Sequence, residues 1–137
     1  MTQSITYDKF INEEVYNWAC RVGGQALSSR IDEKTHKTTI NNLLETFKGD
    51  PIDACQILML YIARQSARNE IDKLVARQLV SDIYQIFNSF KNNKTELEEA
   101  IRKYLVLFKW VFESGISDQN QDFHKFINNF IGRGRVR

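Results

Sequence analysis

Pro51 is the only proline in a chain of 137 residues, and it directly follows an aspartate. Proline lacks a backbone N–H and fixes φ, so it suits the first turn of a helix and breaks one further in. The rest of the chain is free of that constraint. Its apolar residues recur with a period near 3.6 almost throughout. Together these features predict an all-α protein, a compact bundle of five to six helices joined by short turns. No internal repeat or long linker divides it. One helical domain over residues 1–131 is expected, followed by a flexible basic tail over 132–137.

The stripes locate the helices. The first runs from about Thr6 to Leu27 on Ile11, Val15, Trp18 and Val22. Gly23-Gly24 near its end either kinks or frays it, or lets another backbone approach. Asp32 to Lys37 reads as a polar connection, after which Thr38 or Thr39 caps a short helix carrying Ile40, Leu43, Leu44 and Phe47. Asp50-Pro51 is the clearest start signal, a capping carboxylate followed by proline at the first helical position. That third helix carries Ile52, Cys55, Leu58, Met59 and Ile62. Asn69 to Asp72 is compatible with a break or with continuous helix. A fourth stripe holds Ile71, Val75, Leu79, Ile86 and Phe90, with Leu74 and Ile83 beside it. Thr95-Glu96-Leu97-Glu98 matches a capping box. The fifth helix buries Leu97, Ile101, Tyr104, Leu105, Phe108, Val111 and Phe112, and Gly115 ends it. Ser117 is the expected cap of a sixth, with Phe123, Phe126, Ile127, Phe130 and Ile131 on one side.

Several classes are disfavoured at once. No apolar run approaches the roughly 18 residues of a membrane span, and no basic-then-apolar leader precedes the first stripe, so a cytoplasmic protein without membrane contact is expected. Cys20 and Cys55 lack a CxxC spacing and fall on apolar faces, which reads as buried thiols and no metal site. There is no HExxH, glycine-rich phosphate loop or carboxylate pair, so neither a cofactor nor catalysis is expected. Net charge is only +2. Its distribution says more: from Ala100 to Arg137 seven basic residues face three acidic ones, leaving that end at +4.

The residues that could carry a function are arginines. Arg64 and Arg68 stand four apart, hence on one helix side, with Ala63, Ser66 and Ala67 leaving room around them. Planar guanidinium groups so placed match successive phosphates; the plainer alternative is pairing with Glu70, Asp72 or other acids. Arg77 lies nine residues beyond Arg68 and shares its side only if the helix is continuous. Arg102, and Arg133 and Arg135 in the tail, complete the set of candidate RNA contacts. Trp18 and Trp110 read as core, although an exposed Trp110 would point to a protein contact. His124 reads as a surface residue. Arg30 and His36, with five residues between them, resemble the R-x(4–6)-H signature of the HEPN helical ribonucleases. In that family arginine steadies the phosphate and histidine assists proton transfer. This makes a metal-independent ribonuclease the alternative reading.

The order of segments carries a second resemblance. GGQALSSRI closes an early helix, HKTTINNLLETF forms a short one, ILMLYIARQSAR a longer one, and AIRKYLVLFKWVFESG an aromatic helix near the end. Over residues 16–115 this is similar to the small helical subunit of the type III-A CRISPR (Csm) effector complexes. That family's patterns are T-S-Q-I-R-x-L(L/F) and L-x-P-x-L-A-Y-x-x-x-R. Ile40-Asn41-Asn42-Leu43-Leu44 takes the first place, and Ile62-Ala63 through Arg68 the second. Asn41 stands where the first pattern has arginine, and Met59, Leu60 and Tyr61 replace the basic and proline residues of the second, so part of the family's RNA-facing charge is missing or relocated. Arg68 alone falls on a family position. The resemblance implies a non-catalytic subunit that stacks along the effector with copies of itself and other subunits. It touches the backbone of the guide RNA–target RNA duplex, while neighbours do the cutting.

Overall fold

The computed structural model describes residues 5–29, 33–118 and 120–135, the side chains of residues 33, 34 and 133–135 excepted. Among the described residues there are helices and no strands, as the periodicity predicts. α1 (Tyr7–Lys9), a π-helical turn (Phe10–Glu14) and α2 (Val15–Leu27) form one continuous rod. It is followed by α3 (Glu33–Thr46), α4 (Pro51–Ala67), α5 (Lys73–Phe90), α6 (Lys94–Ser114) and α7 (Phe123–Arg135). α2 packs on α6 and α4 on α5. The core between them is built on Phe10, Phe47, Leu58, Ile62, Leu79 and Phe108, all essentially closed to water.

The π turn has a visible cause. Val15 N–H reaches back five residues to the Phe10 carbonyl, which releases the Ile11 carbonyl from the helical ladder. Lys103 Nζ on α6 takes it at 2.7 Å and lies 4.7 Å from the Tyr16 ring centroid. The two glycines of α2 serve close approach; the helix continues past them to Leu27. A Cβ on Gly23 would stand 2.5 Å from Val111 Cγ1, and one on Gly24 3.1 Å from Gln121 Nε2.

α3 starts earlier than its sequence suggests. Its helix already includes His36 and Lys37, which read as connection. The inward stripe is His36, Thr39, Ile40, Leu43 and Phe47, at helical spacing but with two polar members, so the apolar pattern began late. Both polar groups serve the turn between α4 and α5. His36 Nε2 accepts the Asp72 N–H at 2.9 Å, and Thr39 Oγ1 donates to the Glu70 carbonyl at 2.9 Å. That turn is a true break: Asn69 takes a positive φ of 57°, and Asp72 caps α5 by accepting from Leu74 N at 3.0 Å and Val75 N at 3.2 Å.

Other caps separate into agreements and corrections. Asp50 accepts from Asp53 N at 3.2 Å ahead of Pro51, and Gly115 ends α6 in the left-handed region at φ 72°, both as expected. Thr95 is not the cap of α6. Asn93, two residues earlier, accepts from Glu96 N at 3.2 Å and does the same chemistry. Ser117 does not cap α7 either. Its hydroxyl meets Ser28 Oγ at 2.8 Å, while Asp122 Oδ1 accepts from Lys125 N at 2.8 Å. α7 also runs through Gly132 to Arg135, past the expected tail boundary; a glycine within a helix costs only about 1 kcal/mol. Its apolar stripe is poorly covered, with Phe130 63% exposed.

Cys20 and Cys55 are free and buried. Burial pushes the thiols up to about 11 and about 12, with Asp122 adding to the shift at Cys20. Trp18 is half-buried; Trp110, expected in the core, is instead 61% exposed on α6.

Candidate nucleic-acid interface

α4 and α5 are joined by a short turn and pack side by side, so the chain reverses between them. The reversal decides where the arginines fall. Arg77 does not continue the helix of Arg68. It lines a groove between α4 and the reversed α5, and neither Arg64 nor Arg68 is among the residues that line that groove. The groove holds about 450 Å³ between Ala63 and Ser66 on α4 and Ala76, Arg77 and Tyr84 on α5. Ala63 and Ser66 lie within and beside the Arg64–Arg68 turn, and their small side chains open the groove there.

Arg64 and Arg77 are exposed, and among the described residues their side chains make no hydrogen bond or ion pair. Arg68 is the C-terminal cap of α4 and pairs with Glu70 at 4.0 Å, both side chains open to water. A pair that long and exposed is worth at most about 1 kcal/mol. Arg68 is therefore available at little cost. Arg64 also sits in the last turn of α4, where a cation favours the helix dipole.

The remaining candidates are placed differently. Arg102 Nε pairs with Glu98 at 3.2 Å, its Nη2 donates to the Phe47 carbonyl at 3.3 Å, and its guanidinium lies 5.2 Å from the Phe47 ring centroid. It is held by its own protein, away from the α4–α5 groove. Arg133 and Arg135 belong to the last turns of α7, their side chains outside the described residues. Arg30 likewise lies outside the described residues. His36 is 1% exposed. Burial lowers its proton affinity, while Asp72 and the Ala26 backbone oppose that shift. Its Nε2 lone pair is taken by the Asp72 N–H, and Nδ1 has no well-aligned partner. His124 is exposed.

Two groups escaped the sequence reading. On the outer side of α5 the exposed residues are Lys73, Leu74, Arg77, Ser81, Tyr84 and Asn88, with no acid among them. The spacing from Lys73 to Arg77 to Tyr84, four and then seven, was there to be read as a single basic and aromatic face. On the inner side Asp82 is 3% exposed. It accepts from Arg21 Nη2 at 2.9 and 3.2 Å, Gln78 Nε2 at 2.7 Å and Tyr104 Oη at 2.6 Å. Burial raises the Asp82 carboxyl, opposed chiefly by the Tyr104 hydrogen bond and the Arg21 charge. The buried Tyr104 phenol is raised as well, first by desolvation and then by Asp82.

No family model, curated protein or solved structure matches this chain. Among the described residues, no helix is long and apolar enough to cross a membrane.

Proposed function

We propose that this protein is a non-catalytic helical subunit that grips an RNA backbone, of the kind that serves as small subunit in type III CRISPR ribonucleoprotein effectors. The observation that carries the reading is a set of exposed arginines on α4 and α5: Arg77 lines the groove between them, Arg64 sits in the last turn of α4, neither has a side-chain partner among the described residues, and Arg68 has a loose one. Guanidinium groups at that spacing suit phosphate oxygens, and backbone contacts give affinity without sequence readout. The partners are guide RNA and target RNA, other effector subunits and further copies of this chain, in the cytoplasm. Exposed Trp110 offers an anchor for a protein neighbour. A ribonuclease built on His36 has less support, since proton transfer at Nε2 has to break the Asp72 bond.

The test is Arg64→Ala combined with Arg68→Ala, titrated against labelled RNA duplex between about 50 and 200 mM salt. The double variant is expected to bind more weakly, with a log–log salt slope flatter by about two, and to enter a reconstituted effector poorly. Affinity and assembly equal to wild type would sink the reading.

A further inference from the structure

The α4–α5 groove holds more than phosphate ligands. Its volume of about 450 Å³ lies within the range of roughly 300–1,000 Å³ typical of small-molecule sites. Its walls are mostly apolar, from Ala63, Ala76 and Val80, with the Ser66 and Ser81 hydroxyls as the polar groups beside Arg77. Tyr84 lines it and is 55% exposed, on a helix face that also carries Lys73 and Arg77. A phosphate clamp alone has no use for such walls or for an exposed aromatic ring.

We propose that this groove takes one unstacked base of single-stranded RNA, stacked on Tyr84, with its backbone phosphate on Arg77. The inference rests on the RNA reading above and narrows it to unpaired RNA at this position. Tyr84 and Arg77 are separated by seven residues, about 10 Å along the helix axis. Both line the one groove, so a base on the ring and its phosphate on the guanidinium share a wall. A paired base has both faces covered by its neighbours, so only an unpaired one offers a face to the ring. Stacking accepts any base, and the two serine hydroxyls accept or donate as the base edge requires. The outer face of α5 carries no acid to repel the strand.

The experiment compares an oligouridine strand with a blunt RNA duplex, binding each to wild type, Tyr84→Ala, Tyr84→Phe and Arg77→Ala. Tyr84 lies on the surface, so its replacement leaves the core intact; circular dichroism checks this. Tyr84→Ala is expected to weaken single-strand binding by roughly 5- to 150-fold, with duplex affinity and salt slope unchanged. Tyr84→Phe restores single-strand binding, and Arg77→Ala lowers the salt slope by about one. If Tyr84→Ala binds the single strand like wild type, or loses both RNAs equally, the base site is wrong. If it is silent while Arg64→Ala plus Arg68→Ala weakens both RNAs, the clamp stands and only the base site falls. If wild type binds neither RNA at low salt, both fall together.

Discussion

The two faces of α5 use the same chemistry in opposite ways. On the inner face, Asp82 draws in Arg21 from another helix and Tyr104 from a third. On the outer face, Arg77 and Tyr84 stand in solvent, with no carboxylate among their exposed neighbours on that helix. A guanidinium and a phenol appear on both sides. What separates them is the acid. A buried carboxylate needs its charge met inside the protein, and it holds every donor within reach. An acid-free surface leaves its donors to an outside partner. The contrast divides the arginines into those that hold the fold and those left for a ligand. Arg21 falls in the first group, Arg64 and Arg77 in the second, and Arg102 joins the first through Glu98 and Phe47.

Substitution on the inner face should produce the largest effect. Arg21→Ala leaves Asp82 with only Gln78 and Tyr104, and should lower stability by about 2–3 kcal/mol in urea unfolding at pH 7. That is the low side of the cost of stranding a buried charge, because the Arg21 side chain is 36% exposed. A change under about 0.5 kcal/mol would erase the distinction between the faces.

A smaller effect sharpens the inner half of the comparison through pH. Burial lowers the His36 imidazole below 6.5, so the unfolded chain takes up that proton first. The stability His36 contributes is present above about pH 6.5 and is lost as pH falls from there through the folded value. Asp82 runs the other way. Its carboxyl is raised above 3.8, so its contribution is lost as pH rises from that value through the folded one. Subtracting the profile of His36→Gln from that of wild type isolates the histidine. The difference should slope by up to about 1.4 kcal/mol per pH unit on the acid side of 6.5. Parallel profiles would mean that burial does not hold this imidazole in its neutral form.

The smallest stability effect belongs to the outer face. Arg64→Ala with Arg77→Ala should shift unfolding by no more than about 0.5 kcal/mol, because among the described residues neither side chain makes a hydrogen bond or ion pair and Arg64 adds only an exposed charge at the end of α4. A larger loss in thermal or urea unfolding would place these arginines with Arg21.

Much of this organisation was legible in the chain. Pro51 after Asp50 marked the start of α4, and the stripe from Leu97 to Phe112 with Gly115 behind it marked α6 with nearly correct ends. What failed did so for local reasons. His36 and Thr39 are inward-facing polar residues, so the start of α3 looked like a linker. Asn93 and Asp122 outcompeted Thr95 and Ser117 as caps, and all four are residue types that cap well. Asp82 sits between Leu79 and Ile86 on the core stripe, a signal in itself. Its partners Arg21 and Tyr104, however, lie 61 and 22 residues away, and only packing brings them together. The groove was half visible. The Arg64–Arg68 turn and its small residues stood out. Arg77 was expected to join them only through a continuous helix; the chain reverses instead, and Arg77 lines the α4–α5 groove without Arg64 and Arg68. Tyr84 was passed over, although its spacing from Lys73 and Arg77 put it on the same face.

The most direct test sets the two groups of arginine side by side. RNA affinity is measured across a salt series for Arg77→Ala and Arg21→Ala, each under conditions where the variant is fully folded. If the outer face meets the RNA backbone, Arg77→Ala weakens binding and lowers the salt slope by about one, while folded Arg21→Ala keeps the wild-type slope. Equal slopes in wild type and Arg77→Ala, or a slope lowered by Arg21→Ala alone, would contradict the account.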